Sequence, residues 1–558
     1  MRKRALLGLA CALGLLGANT ARQFTRQIPG KEKVDQALNR LTFGPRPGDA
    51  GQVHKIGLKK WIDLQLHPDR IPENPVLTAK LKMLDTLSMS SSELVRNYPA
   101  PQMVRQMVNG QLPFPTDPER RRMIRKLVER EERKLGAVPA NAPQPVALRD
   151  VLSPEEIRSL RTGTPQQRMA ALEAMPPEKQ DEVIAAMPNG MLQPMFALAT
   201  PELRRKIELA QGPAAVIARD LAESKLLRAI YSNRQLEEVL TDFWYNHFNV
   251  YLDKGADRYL VTAYERDMIR PHVLGKFRDL LEATAKSPAM LFYLDNWQSV
   301  GPQPPPRGGR AGATQRRGLN ENYGRELLEL HTLGVDGGYT QKDVTEVARC
   351  FTGWSINQPQ RGGEFVFRER QHDRGEKVVL GVTIPAGGGI EDGEKVLDIV
   401  ARHPSTARFI SRKLAQRFVA DDPPPALVDR MAQTFLKTDG DLRAVMKTMI
   451  DSKEFWSVGA YRSKIKSPFE MVVSAVRAVN GDVDFAQALM NQVAQLGEPL
   501  YRKVEPTGYS NASGQWLNSA GLLARMNFAV QLASNKVPGV KVESADAKVL
   551  GSPEFQKR

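Results

Sequence analysis

Apolar residues recur at spacings of three and four along most of this chain, a pattern that predicts amphipathic helices. Val34, Leu38 and Leu41 open it, and Val53, Ile56, Trp61 and Leu64 resume it. These read as two helices around Thr42-Phe-Gly-Pro-Arg-Pro-Gly48, whose prolines and glycines stop the first. Leu236, Val239, Leu240, Phe243 and His247 share one helical face, which places His247 on the apolar side. A core histidine bonded to a carbonyl is the plainer reading there, and a ligand role the sharper one. The aromatic run Phe243-Trp-Tyr-Asn-His-Phe248 suits a pocket wall in either case. Helical spacing continues through residues 259–297, most of 391–455 and 466–479. Period two appears at Phe365-Val-Phe-Arg-Glu369 and Lys377-Val-Val-Leu-Gly-Val-Thr-Ile384, joined through His372-Asp-Arg-Gly375. The expected fold is mainly α, multi-helical, with one small β-hairpin over 365–384.

Breaks in this pattern suggest the organisation. Residues 112–212 read as an inserted helical lobe: a charged helix over 119–134, then short helices started by Ser153-Pro-Glu-Glu156, Thr164-Pro-Gln-Gln167 and Thr200-Pro-Glu-Leu203. The first two have the residues of a capping box, with proline at the first helical position. The lobe's Met169, Met175, Met187, Met191 and Met195 fit either core packing or a partner face. Residues 301–318 are rich in Pro, Gly and Arg and predict a flexible loop, lid or insertion, just before the most polar helix of the chain. Residues 480–544 read as a C-terminal helical extension. The tail 545–558 lacks the pattern of a packed element and is expected to be disordered.

Composition adds a compartment. Met1-Arg-Lys-Arg4, the apolar run Ala5 to Ala18 and small residues up to Ala21 read as a secretory signal peptide over 1–21. An exported protein of the periplasm or cell surface follows, with nothing after residue 21 resembling a transmembrane stretch. Lys and Arg number 79 against 63 Asp and Glu, and loss of Arg2, Lys3 and Arg4 takes the formal charge from +16 to +13. Outside the cell that charge points to an anionic envelope polymer or lipid surface; no nucleic-acid motif accompanies it. The two cysteines are Cys11, within the signal, and Cys350, on a helical stripe with Val347 and Phe351. Cys350 reads as a small core residue, and no disulfide is expected in the exported chain.

Candidate chemistry concentrates in Asn320-Glu-Asn-Tyr-Gly-Arg-Glu-Leu-Leu-Glu-Leu-His-Thr-Leu-Gly334. At about 100° per residue, Asn322, Glu326 and Glu329 share a face with Arg325 at its flank, while His331 falls with Leu327 and Leu328. That excludes a paired-histidine zinc site or a Glu-x-x-His di-iron ligand set on this helix alone. A site assembled across elements remains. In it Glu326 and Glu329 serve as acid and base or hold a hard divalent metal, Arg325 holds an anion, and His372 and Asp373 approach from the turn. The plainer alternative makes Arg325–Glu329 an ordinary helical ion pair and Asp373 a turn former. Thr340 and Asp343 suit the start of the next helix, Val344, Val347, Ala348 and Phe351 its buried stripe, and Gly353 its end. Phosphate-loop, dinucleotide, nucleophile-elbow, His-Glu-x-x-His and paired Cys-x-x-Cys motifs are absent from the sequence.

Leu38-Asn-Arg-Leu-Thr-Phe-Gly-Pro-Arg-Pro-Gly48, Phe243-Trp-Tyr-Asn-His-Phe248, the 320–334 segment, Tyr339-Thr-Gln-Lys-Asp343, Phe351-Thr-Gly-Trp354, His372-Asp373 and Lys377 occur in the order of a known pattern. Together, over about Val34 to Val479, they resemble the bacterial family called domain of unknown function 1800. The resemblance maps the family's motif onto Asn320, Asn322, Arg325, Glu326, Glu329, His331, Asp343, Trp354, His372 and Asp373, without assigning chemistry to it. It implies an exported bacterial protein. It also implies a partner: an exported, sulfatase-like protein of the domain of unknown function 1501 family. Two roles stay open, an envelope assembly or maturation partner and a hydrolase or metal-assisted enzyme acting on an envelope polymer.

Overall fold

The computed structural model describes residues 22–134, 148–196, 198–302, 318–543 and 546–558. Helices dominate the order of elements, and the strands described form three two-stranded antiparallel pairs. The chain is therefore mainly α with small hairpins. Helix α1 (Lys33–Leu41) buries Val34, Leu38 and Leu41, the stripe that its spacing predicts. After it, Gly57 at φ 92° divides the expected second helix into Asp49–Ile56 and Leu58–Leu66, and Ile56 is left exposed.

The charged helix of the lobe is α2 (Pro118–Lys134). Both expected capping boxes form, on Ser153 with Glu156 and on Thr164 with Gln167. The lobe has its own core, in which Met169, Met187 and Met195 are buried and Met175 and Met191 are partly covered. Its methionines therefore pack into or against that core.

The main core surrounds α3 (Pro213–Tyr231), which is buried along most of its length, its Asp220 paired with Arg205 and its Lys225 with Asp242. Against it lies α4 (Gln235–His247), and the motif segment 320–334 contributes Tyr323, Leu327, Leu328 and Leu333 to the same core. That segment starts as α5 (Glu321–Glu326) and continues without a break into a π turn, Leu327–Thr332. Helix α6 (Gln341–Cys350) packs across α5, and Gly324 permits the approach. A Cβ there would sit 2.9 Å from the Val344 carbonyl oxygen and 3.1 Å from the Ala348 amide nitrogen. Gly324→Ala is expected to push the two helices apart and lower stability by about 1–3 kcal/mol, measured as a shift in denaturant midpoint. An unchanged midpoint would mean that the contact relaxes freely.

The expected hairpin over 365–384 is two hairpins. Strand β1 (Trp354–Ile356) pairs with β2 (Phe365–Phe367), and β3 (Lys377–Val379) pairs with β4 (Val382–Ile384). The segments at 365 and 377 thus turn to different neighbours, because each finds a closer strand within its own turn. Helices α7 (Glu391–Ala401) and α8 (Pro404–Phe418) follow. A further pair joins β5 (Asp482–Val483) to β6 (Val540–Lys541), and α9 (Ser519–Ala533) lies between them in sequence.

Residues 546–558 are packed rather than disordered. Leu550 is buried, Lys557 bridges to Ile465, and the Arg558 amide donates to the Lys464 carbonyl at 2.8 Å. Backbone bridging and polar contacts hold this segment, so no apolar periodicity announces it. No described helix is long and apolar enough to cross a membrane. The expected signal segment 1–21 and most of the expected 301–318 loop lie outside the described residues.

Candidate functional site

Asn320 opens the motif helix as its N-cap. Its side chain accepts from the Asn322 amide at 2.9 Å and donates to the Leu294 carbonyl at 3.0 Å. Six residues later the hydrogen bonding widens: the Leu333 amide donates to Leu328 at 2.9 Å and the Thr332 hydroxyl to the Leu327 carbonyl at 2.5 Å. Such π turns are concentrated at functional sites. Gly334, at φ 87°, ends the segment where a Cβ would meet the Phe409 ring at 2.9 Å.

The outer face carries Asn322, Arg325, Glu326 and Glu329, as the helical angles predict. Arg325 reaches Gln341 at 3.0 Å and Glu321 at 3.6 Å, one turn back, rather than Glu329. Glu329 accepts from the Tyr339 hydroxyl at 3.3 Å. Glu326 has no hydrogen-bond or ion-pair partner among the described residues. Burial raises its carboxyl above the ordinary value, the charge of Glu329 raises it further, and Arg325 opposes both.

The inner face delivers His331, 2% exposed, to a junction with α4 and α8. There His247 Nε2 lies 3.0 Å from the His331 carbonyl oxygen, and its Nδ1 lies 2.8 Å from Lys413 Nζ on α8. An ammonium donating to Nδ1 fixes the His247 proton on Nε2, where it donates to the carbonyl. The core-histidine reading of His247 holds, with a lysine as the added partner. Burial, then Lys413 and His331, hold His247 well below its ordinary range. Burial and then Lys413 bring His331 down to about 3, and its Nε2 has no hydrogen-bond partner. Burial lowers Lys413 to about 8. The junction is therefore two neutral imidazoles beside an amine with no acidic partner described. Sequence reading did not single out Lys413. The available signal was a lysine in register with Thr406, Ile410 and Arg417 on the buried stripe of α8.

His372 and Asp373 belong to a separate network. His372 Nε2 lies 3.1 Å from Asp392, its Nδ1 2.8 Å from the Thr352 carbonyl, and Lys377 Nζ 2.7 Å from the same Asp392 oxygen. The His372 and Lys377 side chains are fully enclosed. Asp373 takes two bonds from Arg349, at 2.7 and 3.3 Å, and Arg349 also holds Glu346. Burial alone would raise the Asp373 carboxyl; Arg349 and the Gly375 amide hold it below its ordinary value instead. Asp392 is the member that sequence reading missed, since an acid in a helix's first turn is unremarkable by itself.

Helix α6 explains why these groups stay apart. Val344 and Ala348 face α5, whereas Glu346 and Arg349 lie some 140–200° around the helix from Val344 and serve the network. Neither Glu326 nor Glu329 shares a bond with His372 or Asp373 among the described residues. Asp343 caps α6 with Thr340 and accepts from the Leu380 amide at 2.8 Å. Trp354 is a core residue, unexposed and so close to α7 that a Cβ on Gly393 would stand 2.6 Å from its ring. Cys350 is buried too, which pushes its thiol up to about 12 and leaves it a poor nucleophile. Among the described residues, no three His, Cys, Asp or Glu side chains are grouped to hold a metal ion.

Asn246 turns away from the junction. Its amide exchanges two bonds with Tyr509, at 2.7 and 2.6 Å, beside a polar cavity of about 50 Å³. Lys225, paired with Asp242 at 2.7 Å, and Glu498 line that cavity, which has room for a few waters. The C-terminal region is thus built into the back of the motif.

What these observations define is a mainly helical protein whose motif residues divide among an open carboxylate face, a buried His–Lys junction and a saturated ion network. The chain belongs to the family described as "Protein of unknown function (DUF1800)", whose model matches residues 36–555. No curated protein and no solved structure matches it.

Proposed function

We propose that the chain is an exported protein that works by binding another exported protein, as an envelope assembly or maturation partner, rather than by catalysis across a Glu–His–Asp cleft. One observation carries this reading: His372 and Asp373 are enclosed in ion pairs of their own, and α6 stands between them and Glu326 and Glu329. The motif's accessible part is a surface face of Asn322, Arg325, Glu326, Glu329 and Tyr339. Its mixed charge and aromatic edge suit a polar protein contact. A signal-like start supports export, and the family resemblance supplies the candidate, a sulfatase-like protein of the domain of unknown function 1501 family.

The test is co-expression of the two proteins in one periplasm. Wild type is expected to co-purify with the sulfatase-like chain and raise its soluble yield. The double variant Glu326→Gln/Glu329→Gln, still folded by circular dichroism, should lose at least about tenfold in capture. Equal partner yield with and without this chain would sink the proposal. Amino-terminal sequencing of the exported protein would test its compartment, with Arg22 as the expected first residue.

A second reading rests on Glu326 itself, a raised carboxyl with no hydrogen-bond or ion-pair partner among the described residues, beside Glu329, which accepts from the Tyr339 hydroxyl. Two carboxyls with different environments are what an acid–base pair requires. Turnover of an anionic envelope polymer, abolished by Glu326→Gln while partner capture persists, would replace the binding role with hydrolysis.

A further inference from the structure

Helix α9 is apolar on two sides. Arg525, Phe528, Ala529 and Leu532 face inward at helical spacing and are buried. On the opposite side Leu522, Leu523, Met526 and Val530 are 42%, 61%, 54% and 54% exposed. Leu517, just before the helix, and Val549, on the short helix Ala547–Leu550 packed against it, extend the patch at 47% and 57%. A helix apolar all round is the pattern of a buried helix. Here one of its faces is bare.

Charge is missing from this face. Between Ser510 and Asn535 the only charged residue is Arg525, which is buried, where a chain of 25% charged residues would carry about six. Depletion of charge around Leu, Met and Trp is the composition of an interface centre between proteins. A helix lying on a membrane surface would show lysines or arginines along its polar side, and α9 shows none exposed. A partner recruited by charge would find nothing to steer by. A second copy needs no such steering, and the bare stripe brings no like charges face to face.

We infer that α9 is a self-association surface, through which two copies of this chain meet about a twofold axis, stripe against stripe. Six half-exposed side chains offer on the order of 500 Å² per copy, or about 1,000 Å² in total, the lower bound for a specific interface. The expected dimer is therefore a weak one, half-formed at micromolar concentration or above. Because each copy carries a formal +16 over its whole length, added salt should tighten the association by screening that repulsion. This inference stands on α9 alone and is independent of the motif face.

Sedimentation velocity of the purified protein over a hundredfold concentration range, at low and moderate salt, tests it. The expected result is a monomer–dimer equilibrium, stronger in salt, that Leu523→Glu or Met526→Glu weakens at least tenfold. Both positions are exposed, so the fold is expected to survive, and circular dichroism checks that it does. The milder Leu523→Ser would give a smaller loss in the same direction. A monomer at all concentrations, or a dimer indifferent to these substitutions, would overturn the inference. So would a monomer that binds neutral lipid vesicles through Leu523 and Met526, which would make the face a membrane contact.

Discussion

Asp392→Ala is expected to be the most damaging single substitution in the motif region. Lys377 is wholly enclosed, and the Asp392 carboxylate at 2.7 Å is the charge that compensates it; the same oxygen meets His372. Removing one partner of a buried ion pair leaves the other charge desolvated and uncompensated, a loss of about 3–5 kcal/mol. Thermal unfolding should fall by several degrees, with the loss centred on β3, α6 and α7. Asp392→Asn should cost nearly as much, because an amide can hydrogen-bond but cannot neutralise the ammonium. Lys377→Met combined with Asp392→Leu should recover a large part of the loss, since a matched apolar pair removes the stranded charge. If Asp392→Ala unfolds at the wild-type temperature, the network is not what holds these elements together.

The His247–His331 junction should make the fold acid-sensitive. The ordinary imidazole value is about 6.5, and burial takes His331 to about 3. Between those values the unfolded chain binds a proton that the folded chain refuses. Stability contributed by this group is therefore complete above about pH 6.5 and is lost as pH falls toward 3. From pH 7.5 to 4.5, His331 alone should remove about 2–3 kcal/mol, and His247, lowered in the same direction, should add to it. Asp220 and Glu498, pushed up to about 7 by burial, act in the opposite sense over part of this range. The informative quantity is thus the difference between wild type and His331→Gln, from urea midpoints at each pH. The wild type should lose more on acidification, and parallel curves would remove the histidine from the account. Asp373 and Asp343, held below their ordinary values, act only below about pH 4 and so fall in a separate window.

Much of this arrangement is legible in the sequence because it is local. The capping boxes at Ser153, Thr164 and Thr340 need only four residues each, and all three form. The inward turn of His247 and His331 follows from spacing against leucines and aromatics. What spacing does not carry is the identity of distant partners. Lys413 meets His247 across 166 residues, and Asp392 meets His372 from the next helix, so neither pairing leaves a local trace. Strand pairing was hidden for a related reason: three-residue strands have too little alternation to specify a register, and β2 and β3 each took an adjacent neighbour. The separation of Glu326 from His372 depends on which sides of α6 its neighbours occupy, a fact of packing.

The π turn at Leu327–Thr332 is in effect one surplus residue carried within a helix, and it sets the phase between the two ends of the motif. The first end presents Arg325 and Glu326 outward; the second must bring His331 to His247 and Gly334 under the Phe409 ring. With the surplus removed, everything beyond it would rotate by roughly 100° relative to the first end. The open face and the buried junction would then be out of step, and one could form only at the expense of the other. The widened turn lets a single short helix serve solvent and core at once.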